Sequence, residues 1–283
     1  MRRIRNSIIA VFLLALVLLS CVACDSKKNA GFSIVFIDVG QGDSALVSCD
    51  GHYMLIDGGP AENGAGKDVR NVLEDHDVKK LDYLIISHPH DDHIGGLPDA
   101  LTYISKIDKI FSNVDSSKSD KLKDFCSQLD CRESKSVEVP NVGDIYSLGS
   151  AKFEIISHGN SQDNDNKSLV LLVTYGDTTF LFTGDMEHST ETDISNKYSD
   201  KFPITLLKVA HHGSDSGTET RFVRTTQPKY AVISVGENNQ YGHPHDKVLG
   251  VLEQAGAKVY RTDRDGDITV ISDGKKLTIV TEN

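Results

Sequence analysis

Residues 87–96 read SHPHDDHIGG and place His88, His90, Asp92 and His93 within six positions, in the pattern H-x-H-x-D-H. Imidazole nitrogens suit zinc- and manganese-type divalent ions, and a carboxylate can complete such a site. Four ligands so close in sequence do not easily face one ion. The natural division puts His88 and His90 on a first ion and Asp92 and His93 on a second. The plain alternative is a surface loop that is merely rich in His. Against it, seven of the chain's 11 histidines fall into three short clusters. The second cluster, His211 and His212, lies in LLKVAHHGS at 206–214, and the third, His243 and His245, in YGHPH at 241–245. Asp185 closes FLFTGD at 180–185. An Asp after Gly is ordinarily a turn residue or a helix cap. Here the surrounding pattern gives it interest, because a carboxylate can bridge two ions.

Each of these groups follows an apolar run, so strands must deliver them. LDYLIIS at 81–87 is almost continuously apolar and predicts a central strand buried on both faces. Strands are also expected over 32–39, 45–49 and 53–56, joined by Gly/Asp turns as an antiparallel meander. Further strands are expected over 109–111, 152–156, 169–175, 179–183, 204–209, 230–235, 268–271 and 277–280, with a short one at Val259. Helical spacing marks 68–77, with Val69, Val72 and Leu73 on one face, and also 94–104, 119–129, 187–198, 219–226 and 245–255. Two mixed halves, each with strands first and helices after, predict an α/β fold of two packed sheets with helices outside. Strand ends converging on one centre are a usual way for sheet proteins to build ligand sites.

GQGDSA at 40–45 matches G-x-G-x-x-A, but a dinucleotide fingerprint also needs a helix to open at that loop. The residues that follow look like a strand, so dinucleotide binding is set aside. The formal charge of −11 argues against a protein that coats nucleic acid by bulk charge. It leaves open an enzyme acting on a phosphate ester, since a bound cation supplies positive charge locally.

Arg2, Arg3 and Arg5 precede an apolar run of 12 residues at 8–19, too short for a spanning helix and the form of a secretory leader. An uncleaved N-terminal anchor is the alternative. A small residue before Cys21, or before Cys24 as second choice, resembles a bacterial lipobox. The chain then divides into a leader and lipobox region at 1–23, a polar tether at 24–31 and one domain over 32–283. Removing the leader arginines carries the charge from −11 to −14. Cys126 and Cys131 are close enough for a local disulfide, or equally are small buried hydrophobes.

With these motifs in place, the chain resembles the metallo-β-lactamase fold hydrolases. The H-x-H-x-D-H spacing, the early Asp57-Gly58-Gly59, the Gly-Asp at Asp185 and the later His carry that resemblance. More narrowly, FIDVGQGDS at 36–44, SLVL at 168–171, KVAHHGS at 208–214 and YGHPH at 241–245 are similar to the hydrolase domain of ComEC-type competence proteins. The resemblance implies an αββα sandwich of two mixed sheets with helices on the outer faces and a dinuclear site at one edge. It implies that His88 and His90 hold the first ion, Asp92 and His93 the second, that Asp185 bridges them and that His211 completes the second. His212 and His243 then face the substrate as proton donors or phosphate contacts, and Asp92 orients the attacking water. Many relatives carry one more His ligand in a Gly-His context. Here the equivalent stretch is 164–168, so the first ion is completed by Asp165, Asn166 or the more distant His158, or is weaker. His52, His76 and His188 fall outside the pattern.

The expected cofactors are therefore two divalent ions, Zn or Mn, roughly 3.5–4 Å apart, activating a hydroxide and stabilising attacking and leaving oxygens. The expected function is an exported, metal-dependent hydrolase, a phosphodiesterase or nuclease whose substrate is DNA or a nucleotide. The expected location is the outer face of the bacterial cytoplasmic membrane, held there through the N-terminal lipid, or secreted; no protein partner is expected. The alternatives are hydrolysis of another ester, a thioester or a β-lactam, and a non-catalytic metal-binding surface lipoprotein.

Overall fold

The first three strands form the expected meander: β1 (Phe32–Phe36), β2 (Ala45–Cys49) and β3 (His52–Ile56), paired antiparallel in turn. Asp50 and Gly51 join β2 to β3 with φ of 53° and 82°, the two positive values that a tight hairpin with native twist requires. The computed structural model that shows this describes residues 31–129, 137–159 and 167–283. After β3 the chain crosses through α1 (Ala65–Asp75) to the parallel β4 (Lys80–Ile86). It then crosses through α2 (Asp91–Ile94) and α3 (Leu97–Ala100) to the parallel β5 (Lys106–Ser112). A fourth helix, α4 (Asp120–Gln128), follows, with the Ser119 hydroxyl accepting from Leu122 N as its N-cap.

The second half holds β6 (Ile145–Leu148), β7 (Ala151–Ser157), β8 (Val170–Tyr175), β9 (Thr178–Phe182), α5 (His188–Lys197), β10 (Leu206–Lys208) and α6 (Thr220–Thr226). It continues with β11 (Tyr230–Ile233), α7 (Asp246–Gln254), β12 (Lys258–Arg261) and α8 (Thr262–Asp265). Then β13 (Ile268–Ser272) and β14 (Leu277–Thr281) return to the first sheet. Among the described residues there are two seven-stranded sheets, ordered β14-β13-β1-β2-β3-β4-β5 and β12-β11-β10-β9-β8-β7-β6.

The period-2 alternation of strand side chains builds the layers. Ile34, Phe36, Val47 and Ile85 face inward and pack against Phe153, Leu171, Phe180 and Val232 of the opposing sheet. Phe32 stacks on Phe180 with ring centroids 4.9 Å apart across this interface. Val35, Leu46, Leu55 and Leu84 face outward under Val69, Val72 and Leu73 of α1. On the far side Leu172, Leu181 and Leu207 pack under Ile194, Phe222, Val248 and Leu252 of α5, α6 and α7. This is the expected αββα sandwich, with β4 buried on both faces.

The structure differs from the sequence expectation in places that have local causes. The helix expected over 94–104 is broken into α2, α3 and a 3₁₀ turn at Leu101–Tyr103. Gly95, Gly96 and Pro98 interrupt it, since Pro suits only a first helical turn. β1 stops at Phe36 rather than 39, and the chain beyond it turns to the β4 loop, where Asp43 N donates to Asp92 O. The edge strand β6 and the short α8 lie in stretches with too little apolar periodicity to be read. Cys131 lies outside the described residues, and Cys126 carries a free thiol.

Strand direction decides where the site lies. β1, β3, β4 and β5 run the same way, and β9, β10, β11 and β12 are mutually parallel. Gly31 sits at the opening end of β1, its carbonyl accepting from Asp50 N in the β2–β3 turn. That is the opposite end of the sheet from the loops that follow β3 and β4.

Candidate metal centre

β3 hands the chain to Asp57, which is 1% exposed and adopts a left-handed φ of 58°. Its carboxylate accepts from Ser87 N at 2.8 Å and Ser87 Oγ at 2.6 Å, and lies 2.9 Å from His93 Nδ1. That contact fixes the His93 ring and aims Nε2 away from Asp57, the usual support for a metal-ligating imidazole. His93 and His88 are both fully buried, their ring centroids 4.1 Å apart, and His90 lies 4.5 Å from His88.

Two glycines permit the close packing that holds this loop. A Cβ on Gly42 would collide with the Asp92 carbonyl oxygen, where Asp43 N donates to Asp92 O at 3.1 Å. A Cβ on Gly96 would collide with the Gly58 carbonyl oxygen, and Gly58 N donates to His93 O at 2.7 Å. The G-x-G at 40–42 thus serves backbone contact with the β4 loop.

β9 of the second sheet supplies Asp185, whose N donates to Ser168 Oγ at 2.8 Å. Its Oδ2 is the hub of the centre. It lies 3.3 Å from His93 Nε2, 3.6 Å from His211 Nε2, 3.7 Å from His212 Nε2 and 3.8 Å from His88 Nε2. β10 supplies the His pair, and both residues are left-handed, with φ of 49° and 53°. This turn buries the second imidazole rather than the first. His212 is 1% exposed, with Nε2 3.2 Å from Asp92 Oδ2 and Nδ1 3.0 Å from the Ser234 carbonyl oxygen. Atoms of Asp92, His93, Asp185 and His212 all lie within 4.8 Å of one another. The expectation had His211 in that company and His212 at the substrate. In the structure His211 stands on the cavity wall, its side chain 36% exposed and its Nδ1 3.0 Å from Ser216 Oγ.

The residues fit a divalent metal. His88 Nε2, His93 Nε2 and Asp185 Oδ1 are shielded from solvent and have no hydrogen-bond partner. Burial normally demands such partners. Electrostatics agree. Burial opposes ionisation of Asp185, but the charges of His93 and His212 hold its carboxyl well below the ordinary range. Burial likewise raises Asp92, and the His212 hydrogen bond and His93 charge outweigh it, leaving Asp92 at about 2. His212 is desolvated yet held up at about 10 by Asp185, Asp43 and Asp92. His88, buried beside His93, is pushed well down. Buried carboxylates facing imidazole nitrogens make a pocket that attracts a cation.

Two buried charged residues beside the centre had no assigned role in the sequence reading. Asp43 and Lys208 form a buried ion pair at 2.7 Å beneath the centre, and Asp43 Oδ1 lies 3.3 Å from His212 Nδ1. Their motifs were visible, but a lone charge in an apolar run carries no signal of a partner some 160 residues away. His158 is spent on the Pro140 carbonyl oxygen at 2.6 Å. Asp165 and Asn166 lie outside the described residues. His243 lines the cavity, its Nδ1 without a partner. Burial and the imidazoles of His212, His211 and His245 pull it down to about 4, so it is uncharged near neutral pH.

His90, Asp92, Asp185, His211, His212 and His243 all border one open cavity of about 400 Å³. Residues 37–237 match the family model described as the metallo-beta-lactamase superfamily. The chain is similar to ComE operon protein 3 of Bacillus subtilis (strain 168), 31% identical over 82% of this chain and 32% of that protein. It is also similar to Competence protein ComA of Neisseria gonorrhoeae, 29% identical over 81% of this chain and 30% of that one. The chain thus spans about a third of the length of these curated relatives. Among solved structures, the metallo-beta-lactamase fold protein YhfI from Bacillus subtilis superposes with a TM-score of 0.56. It is 13% identical, covering 82% of this chain and 96% of that one.

Proposed function

The chain belongs to the metallo-beta-lactamase superfamily and is a metal-dependent hydrolase, and on that premise we propose that it cleaves phosphodiesters, as a phosphodiesterase or nuclease acting outside the membrane. The observation that carries this is the convergence of Asp92, His93, Asp185 and His212 from both sheets on one point, with His88 and His90 across Asp185. Similarity to proteins named for competence supports a nucleic-acid or phosphoester substrate. The basic leader and Cys21 or Cys24 support export and lipid anchoring.

His88, His90 and Asp185 would hold one divalent ion, Zn or Mn, and Asp92, His93, Asp185 and His212 the other. Bound there, the ions supply countercharge for a phosphate and ease the ionisation of an attacking water near neutral pH. The chain's own residues do the rest. Asp57 orients the His93 ring and the Ser234 carbonyl that of His212, so both turn Nε2 to the site, where a bound ion would take the place of its proton. Asp92 and Asp185 stay ionised across the physiological range. His211, held through Nδ1 by Ser216 and open to the cavity, gives a proton to the leaving oxygen.

Turnover of bis(p-nitrophenyl) phosphate and of nitrocefin, with and without chelator, tests this. Chelator-sensitive release of p-nitrophenol with no opening of nitrocefin is expected. The reverse selectivity identifies a lactam or other acyl substrate, and no turnover of either by the metal-loaded protein identifies a binding module.

A further inference from the structure

Beside the metal-binding groups, the same cavity carries an aromatic side chain to which the hydrolytic reading gives no role. Tyr241 is 58% exposed and stacks on His243, ring centroids 5.6 Å apart and planes 24° from parallel. The turn bearing it is built by Asn239. The Asn239 side chain donates to the carbonyls of Gly236 and His243 at 3.0 and 2.6 Å, and accepts from Tyr241 N and His243 N at 3.2 and 3.0 Å. The backbone of the turn is therefore set before any ligand arrives, and the ring rests on His243. A preset, exposed aromatic beside a phosphate-binding centre is a stacking platform for a flat group.

A further observation bears on that group. No Lys or Arg is among the described residues lining the cavity, whereas Glu62 and Asp91 are. Among these described residues, positive charge for a phosphate is then confined to the metal centre. Neighbouring phosphates of a polymer would find no Lys or Arg among them, although polymer binding ordinarily depends on such countercharge.

We propose that the cavity takes one nucleoside phosphodiester unit, its base stacked on Tyr241 and its phosphate at the metal centre. Such a unit is either a small nucleotide diester or the terminus of a single strand, not the interior of a polymer. The inference rests on the phosphodiesterase reading.

The test compares thymidine 5′-(p-nitrophenyl phosphate) with methyl p-nitrophenyl phosphate, and measures thymidine 5′-monophosphate binding by calorimetry against methyl phosphate. Wild type should prefer the thymidine compounds in both. Tyr241→Ala should lower that preference by about 5- to 150-fold, the range of one base stack, and Tyr241→Phe should restore it. Equal use of the two esters by wild type, or a preference unchanged in Tyr241→Ala, overturns the proposal. If neither ester turns over but nucleotide binding still depends on Tyr241, the base contact stands and the phosphodiesterase reading falls. An end-labelled single-stranded oligonucleotide separates the sources. Mononucleotides released stepwise indicate strand termini, an intact oligonucleotide beside a cleaved thymidine ester indicates free nucleotides, and internal cuts overturn the proposal.

Discussion

At the residue scale, two adjacent histidines on one left-handed turn are placed differently, and the proposed function gives them different work. His212 is turned into the buried cluster and His211 onto the cavity wall. His212→Ala should therefore lose metal, falling towards one ion per chain by elemental analysis after Zn or Mn loading. His211→Ala should keep both ions and lose roughly 10²–10⁴-fold in kcat on an ester with a poor leaving group. The loss should shrink with p-nitrophenolate, which scarcely needs a proton. Metal loss in His211→Ala with full loading of His212→Ala would reverse the two roles. The ligand types and their strand ends were legible in the sequence, since H-x-H-x-D-H and the later clusters concentrate the imidazoles. Which of two neighbours points inward was not, because it depends on φ values that no spacing encodes. Asp43 was likewise hidden, its partner being set by tertiary packing.

At the element scale, the Asp43–Lys208 pair ties the loop between β1 and β2 to the end of β10, one sheet to the other. Both ends are nearly inaccessible to water, with side chains 8% and 4% exposed. Removing one partner leaves an uncompensated buried charge, which costs about 3–5 kcal/mol, whereas removing both costs less than the sum. Lys208→Met and Asp43→Asn should each lower unfolding free energy by about that much in urea denaturation, and the double variant should recover part of the loss. Additive losses would show that the two charges do not depend on each other. The helices and strands themselves were mostly legible within two or three residues, because one-faced apolar periodicity carries through α1, α4 and α7. One exception, the stretch after His93, follows a different demand. Gly95 and Gly96 are there for close backbone passage, and that need overrides helix formation.

At the scale of the whole molecule, the centre draws His88, His90, Asp92 and His93 from the first sheet and Asp185 and His212 from the second. Metal should then stabilise the sandwich as a unit, and the two-sheet plan was legible from the alternation of strand-rich and helix-rich segments. The N-terminal anchor is a separate question, settled in cells. Replacing Cys21 and Cys24 together by Ala should release the protein from membranes into the soluble exported fraction or block its processing. Unchanged retention and processing would count against lipid attachment. The position of Gly31, at the end of β1 remote from the β4 loop, has a consequence for such an anchored chain. A protein held by that end stands on its strands as on a stalk. With that end towards the membrane, the mouth of the site would look outward, about one strand length beyond Gly31, roughly 17 Å for a five-residue strand. It would meet molecules arriving from outside before they reach the lipid, rather than working on the bilayer beneath it.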